Sequence, residues 1–221
     1  MASYTWDFSI ILHYKQALLT GLGITVGITI AAIILGTIIG ITLAIMKMSK
    51  NHMLHYGSAA FIEVFRDLPL LVLLVWFFYV IPVMIGVNIS ATMTAVIALS
   101  LNLGAFSAEI FRGGFKSVNK GQIEAAKALG LKKMQTIQHV IFPQALQVVM
   151  PALTGRYIET IKLTSLASVI AVNELLHSGQ NIISVSFRPL EVYTVIAILY
   201  LAIIMPLSIS LQKMEAKNVR D

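Results

Sequence analysis

Cysteine is missing altogether, and charge is scarce: only 12% of the 221 residues are Asp, Glu, Lys or Arg, about half the share of an ordinary soluble domain. The lack of thiols excludes disulfides and thiolate metal sites and is silent on redox compartment. The shortage of charge is the stronger limit. With 57% hydrophobic residues and a mean hydropathy of +0.85, too little polar material remains to wet a surface, so lipid is the expected solvent. No G-x-x-x-x-G-K-S/T run is present, so the chain has no phosphate-cradling loop of its own. Its histidines, His13, His52, His55, His139 and His177, form no H-E-x-x-H, and there is no G-x-S-x-G; both absences argue against an enzyme. Residues 1–11 lack a basic region followed by an apolar core and a small-residue cleavage site, so no removable signal peptide is expected. Tyr4, Trp6 and Phe8 suit an interfacial aromatic belt instead.

What is present is a series of long apolar runs. A spanning helix needs about 20 mostly apolar residues. The sequence predicts spans at about 17–46, 58–81, 91–111, 140–172 and 192–211. The first has no charge between Lys15 and Lys47 and carries two small-residue ridges, Gly23-Gly27-Ala31 and Ala32-Gly36-Gly40; such ridges let another helix approach closely. Pro82, Gly86, Asn88 and Ser90 mark a short turn after the second. The fourth is interrupted by Pro143, Pro151, Arg156, Glu159 and Lys162 and reads either as one broken helix or as a helix plus a re-entrant piece. Residues 173–189 read as a loop.

Basic residues orient this pattern. Lys47 and Lys50 follow the first span, and Arg112, Lys116, Lys120, Lys127, Lys132 and Lys133 lie between the third and fourth. Lys213, Lys217 and Arg220 end the chain, whereas the turn after the second span has no Lys or Arg. All clusters fall on one side if the N-terminus is outside and the C-terminus cytoplasmic. The net charge of +6 is thereby assigned to topology rather than to nucleic acid.

Residues 119–138 are too polar to cross lipid. Asn119 followed by Gln122 has the spacing of a capping box, and Glu124 suits a first helical turn. Ile123, Ala126, Gly130, Met134 and Ile137 recur at helical spacing, opposite Lys127, Lys132 and Gln135. An interfacial helix is one reading. A partner-docking helix is the sharper one, because Ala125, Ala126 and Gly130 let a groove close around the backbone.

Here the residues resemble a family. Glu124-Ala125-Ala126, three residues, Gly130, nine residues and Val140-Ile141-Phe142-Pro143 resemble the EAA loop of ABC importer permeases, with Val140 and Phe142 in place of the usual Ile and Leu. Phe65-Arg66-Asp67-Leu68-Pro69-Leu70-Leu71 looks like the F-R-G-T-P-L-L of polar amino acid permeases, with Asp67 and Leu68 departing from it. Ala108-Glu109-Ile110-Phe111-Arg112-Gly113-Gly114, Phe142-Pro143-Gln144-Ala145-Leu146 and Lys162-Leu163-Thr164-Ser165-Leu166 are similar to that family's A-E-I-x-R-G-G, L-P-Q-A-L/F and K-D-T-S-L. The chain therefore resembles the His/Glu/Gln/Arg permeases of binding-protein-dependent ABC importers.

The resemblance implies an all-α integral membrane protein: five transmembrane helices plus a cytoplasmic coupling helix, the type I ABC importer permease fold, in one domain over 1–221. It implies a pore subunit paired with a second permease subunit, as homodimer or sister heterodimer. Two ATPase subunits would bind ATP-Mg, and an extracytoplasmic binding protein would deliver a polar amino acid. No cofactor or metal is expected in the chain itself, which would sit in a bacterial inner membrane. Glu124, Ala125, Ala126, Gly130 and Pro143 are by analogy the ATPase-coupling residues. Charged residues at membrane depth are functional candidates. Glu109 is the first, for a substrate ammonium; its alternative is an ion pair with Arg112, three residues on. Lys162, Thr164 and Ser165 form a second cluster able to hold a carboxylate at a broken helix; helix packing is the alternative for the two hydroxyls. Leu163 stands where many relatives have Asp, which favours a neutral or acidic substrate such as glutamine or glutamate over a basic one. The competing readings are a permease for another small solute, which the shared EAA pattern allows, and a secondary transporter, which normally shows more spans and internal repeats.

Overall fold

The computed structural model describes residues 4–218, with side chains through Lys213; the side chain of Lys217 and all of Arg220 lie outside the described residues. Among the described residues every regular element is helical. α1 (Ser9–His13) leads into α2 (Lys15–Lys47), whose 33 residues contain no proline. Three threonines of α2 bond back to its own carbonyls, Thr25 to Gly21 at 3.1 Å, Thr29 to Thr25 at 2.8 Å and Thr42 to Ile38 at 2.9 Å, and Thr37 pairs with the Tyr157 hydroxyl at 2.8 Å, which satisfies these four hydroxyls in an apolar setting.

The second expected span is broken in two. α3 (His52–Asp67) starts where the Asn51 side chain accepts from the Met53 N–H, and it stops at Leu68, whose backbone is extended at φ −75°, ψ 133°. Pro69 is the cause, because a residue preceding proline is pushed out of the helical region. α4 (Leu70–Val75), a π-helical turn (Trp76–Val80) and α5 (Ile81–Ile85) follow the break. α6 (Ala91–Ser117) and α7 (Lys120–Ala128) precede α8 (Lys133–Thr136), a second π turn (Ile137–Ile141) and α9 (Phe142–Leu163). Both π turns lie just upstream of a proline, Pro82 and Pro143. Proline offers no N–H and its ring crowds the carbonyl four residues back; widening the turn relieves that crowding.

The fourth segment is a helix with a 3₁₀ tail, Thr164–Ile170, that ends at Ala171 with φ 57°. Residues 173–189, expected as a loop, contain α10 (Leu175–Ser186). Glu174 caps α10 by accepting from the N–H groups of Leu176 at 2.9 Å and His177 at 2.8 Å. Leu175, Ser178, Gly179 and Ile182 bury one face of it, a helical stripe diluted in the sequence by His177, Ser178 and Gln180. α11 (Pro189–Asn218) closes the chain. Among the described residues α2, α6 and α11 are each long and apolar enough to cross a membrane, and the bent α3–α5 pair, a broken span or a re-entrant loop, passes the same length and composition test when its helices are taken together. α9 is long enough at 22 residues but carries Arg156, Glu159 and Lys162.

The chain forms two compact units interleaved in sequence. In the unit built from 1–32, 69–99 and 159–207, Leu18, Leu175, Ile182, Val192 and Ile196 make the core. The 3₁₀ tail packs on α4 within this unit. In the unit built from 33–68, 100–158 and 208–221, Leu43, Ala44, Ile62 and Ala108 pack together. Here α2 and α6 approach closely: a methyl at Gly40 would lie 2.6 Å from the Ser107 Cβ and 3.1 Å from the Gly104 carbonyl oxygen. Of the two small-residue ridges of α2, the one containing Gly36 and Gly40 is buried, whereas Gly23 and Gly27 are exposed.

Candidate functional site

The segment between α6 and α9 is held by its caps. Asn119 accepts from the Gly121 N–H at 2.8 Å and starts α7; the Gln122 side chain turns instead to Gln144. At the other end the Leu131 N–H bonds to the Ala126 carbonyl at 3.1 Å and the Gly130 N–H to Lys127 at 2.9 Å. This is a Schellman closure with Gly130 left-handed at φ 78°. Residues 119–138, expected as one helix, are therefore two, and Gly130 serves as a turn residue rather than as part of a helix face. The sequence read the 3.6 period through Gly130 because Ile123, Met134 and Ile137 happen to keep it. Glu124 and Ala125 are exposed, Ala126 is buried, and Pro143 is exposed in the first turn of α9. Ile123, Leu131, Ile137 and Ile141 line a cleft of about 360 Å³ between α7 and the helix that follows it.

Glu109, on the last turns of α6, is committed to two cations. Its Oε1 accepts from Lys47 Nζ at 2.8 Å, and its Oε2 from Arg112 Nη2 at 2.5 Å and Nε at 3.0 Å. The Arg112 pair is the alternative already visible in the sequence. Lys47 enters from 62 residues away, at the end of α2, and local spacing gives no hint of it. Lys162, Thr164 and Ser165 belong to the other compact unit. The Lys162 side chain is exposed, whereas Thr164 is fully buried. Both hydroxyls donate to backbone carbonyls, Thr164 to Ile161 at 2.6 Å and Ser165 to Lys162 at 2.8 Å. In this conformation they can accept a hydrogen bond but have no proton left to give, which leaves the Lys162 ammonium as the cluster's donor.

Two buried polar constellations were not singled out in the sequence. Arg156, 8% exposed, donates to Asn102 Oδ1 at 2.5 Å and lies 3.7 Å from the centroid of the Phe106 ring. Asn102 in turn donates to the Phe65 carbonyl at 2.9 Å. Four residues on from Phe65 stands Pro69, which has no N–H, so Asn102 supplies a donor where the helix cannot. The signal was available: an asparagine in an apolar run faces either a partner or a cavity. The second constellation centres on Glu174, fully buried, which caps α10 and also accepts from the Tyr200 hydroxyl at 3.0 Å. Burial pushes its carboxyl up from the usual range, partly offset by the N–H bonds from Leu176 and His177. Thr25 completes this corner by accepting from the Leu175 N–H at 3.0 Å. Among the described residues no group of three His, Cys, Asp or Glu is placed to hold a metal ion.

Long apolar helices, the Lys47–Glu109–Arg112 ion cluster and a polar two-helix segment between α6 and α9 mark a multi-pass membrane permease subunit. The sequence of 32–221 matches the family described as binding-protein-dependent transport system inner membrane component, and the chain belongs to that family. It is 35% identical over 213 residues to the glutamine transport system permease protein GlnP of Escherichia coli (strain K12), covering 96% of this chain and 97% of the relative. It is also 35% identical over 193 residues to the octopine transport system permease protein OccM of Rhizobium meliloti, covering 84% and 79%. The crystal structure of an amino acid ABC transporter with histidines contains a chain that matches with a TM-score of 0.90 at 34% identity, covering 97% of this chain and all of the other. The fold is that of the type I ABC importer permeases.

Proposed function

We propose that this chain is one of two membrane subunits through which an ATP-driven importer passes a neutral or acidic polar amino acid, glutamine or glutamate in preference to a basic one. The observation that carries this reading is the exposed α7, bearing Glu124 and Ala125, closed by Gly130 and followed by unbroken helix from α8 through the π turn and α9 to the 3₁₀ tail. One end of that path is a docking surface for a separate ATPase; the other carries Lys162, Thr164 and Ser165. Glu124, Ala125, Ala126 and Gly130 receive the ATPase, and Pro143 joins the docking segment to α9. Movement of the ATPase is passed to α9 through the docking segment, and ATPase and substrate bias one two-state change between outward and inward access. The N-terminus is outside and the C-terminus cytoplasmic, which puts Lys47, Lys50, Lys120, Lys127 and Lys132 on the cytoplasmic side.

For substrate, the Lys162 ammonium meets a carboxylate. Leu163 beside it removes the acid that a cationic side chain would want, and the GlnP relative agrees in direction. Glu109 holds Lys47 and Arg112, and its role is that ion cluster. The second permease subunit, the ATPase pair with its ATP-Mg and the extracytoplasmic binding protein complete the machine.

The test is uptake by the full complex in proteoliposomes. The expected result is glutamine accumulation that requires internal ATP and the binding protein, is competed by glutamate and not by arginine, and falls at least about tenfold in kcat/KM for Lys162→Met, the loss of one charged hydrogen bond of about 1.5–3 kcal/mol. Uptake driven by an ion gradient without ATP overturns the importer reading, and preferential uptake of arginine overturns the substrate class.

A further inference from the structure

Lys47, Ser49, His55, Arg112 and Lys116, with Met48, line a cavity of about 430 Å³ that the transport reading does not use. We propose that this cavity binds the phosphodiester headgroup of an anionic membrane lipid. Its charge favours an anion: three fixed cations line it, against one carboxylate, Glu109, bonded to two of them. Glu109 does not exhaust their donors. A lysine ammonium has three N–H groups and a guanidinium five, of which Glu109 engages one on Lys47 and the Nε and Nη2 edge of Arg112. Lys116 has no ion-pair partner among the described residues. Ser49 Oγ accepts from the Asn51 N–H at 3.2 Å, and its own hydrogen stays available. The His55 Nδ1–H donates to the Lys47 carbonyl at 2.6 Å, which fixes the ring at the cavity wall and leaves Nε2 uncommitted by that bond. Planar and tetrahedral donors converging in this way suit phosphate oxygens.

Depth selects a lipid over an ion from water. No charge stands between Lys15 and Lys47, and at 1.5 Å per residue the two lysines are about 48 Å apart along α2. A bilayer with its headgroup regions is about 40–45 Å thick, so a slightly tilted α2 places Lys47 among the phosphates. Beside the cavity, α3 offers Met53 at 85% and Tyr56 at 66% exposure, an apolar surface for acyl chains. Basic pockets at this depth are a recognised way to hold acidic headgroups.

The test uses the full chain, purified in detergent and titrated with phosphatidylglycerol or phosphatidylcholine while bound lipid is counted by native mass spectrometry. The expected result is preferential binding of one phosphatidylglycerol. Lys116→Glu changes two unit charges and weakens it about thirtyfold, and Lys116→Met weakens it about fivefold. Lys50→Glu, exposed and outside the cavity, is the control and leaves it within about threefold, because an exposed charge is screened. Equal losses for Lys50→Glu and Lys116→Glu reduce the effect to general surface attraction and overturn the site, as does unchanged binding in Lys116→Glu. Displacement of the lipid by millimolar inorganic phosphate assigns the cavity to the free anion and overturns the lipid. Wild-type melting temperature for Lys116→Met confirms that its fold is intact; a fall in melting with unchanged lipid binding counts against the proposal.

Discussion

Glu109→Gln separates a structural from a substrate-binding role at that position. The wild-type carboxylate faces Lys47 at 2.8 Å and Arg112 at 2.5 Å, with its side chain 20% exposed. At a charge separation of ~4 Å and an effective dielectric constant of ~20, each attraction is worth about 4 kcal/mol before desolvation is subtracted. Desolvation removes most of that gain, but the change leaves two cations adjacent with only an amide oxygen between them. The expected net loss is about 2 kcal/mol of folding stability. Lys47→Met in the same background should recover about 1 kcal/mol of it, since the unopposed repulsion disappears. Denaturant unfolding in detergent gives the stabilities, and ATP-driven uptake per mole of folded complex gives the function. Uptake per folded molecule should stay within about twofold of wild type, since a broken ion pair that leaves the fold intact costs transport little. Stability within about 0.5 kcal/mol of wild type together with a tenfold fall in uptake refutes the reasoning and returns Glu109 to the substrate.

Three further outcomes are expected. Gly40→Ala should lower unfolding stability by about 1–2 kcal/mol, overpacking against Ser107 and Gly104 outweighing the ~1 kcal/mol of helix propensity gained, whereas Gly27→Ala, in open space, should be neutral or stabilising; a Gly40→Ala chain as stable as wild type would contradict the close approach of α2 and α6. Glu124→Lys should leave the chain folded and strip the ATPase from it during affinity purification, so ATPase recovered at wild-type yield removes α7 from the coupling role. Glu174→Gln tests the buried cap. Because burial raises the Glu174 pKa, the protonated form is the one the fold prefers: its contribution is complete below the unfolded carboxylate range near 4.3 and is lost as pH rises through the folded value. The melting difference between Glu174→Gln and wild type should therefore grow in favour of the amide from pH 5 to pH 8, and a difference that is flat or shrinks with pH excludes the effect.

Much of this was legible because lipid solvent imposes long, uniform signals. The start and end of α2 follow from Lys15 and Lys47, and Pro69 marks the break that the 58–81 span ignored. The EAA spacing located the coupling segment, although its internal turn at Gly130 was hidden by apolar residues that keep helical spacing on both sides. α10 was missed because half of its buried face is Ser178 and Gly179, small residues that pack tightly without registering as hydrophobic. The pairing of Lys47 with Glu109 and the Arg156–Asn102–Phe65 chain join residues 37 to 62 positions apart. Such contacts arise from packing, and a single sequence holds no record of them.

The π turns upstream of Pro82 and Pro143 carry a geometric corollary. A π turn adds one residue to an α-helix, and one residue is worth about 100° of rotation around the axis. Side chains on α8 are consequently dialled round by more than a quarter-turn relative to where an unbroken helix ending in α9 would aim them. The azimuth at which the coupling segment leaves its supporting helix is thus encoded by one extra residue next to a proline, and a single-residue deletion there would re-aim that segment without touching any of its own amino acids.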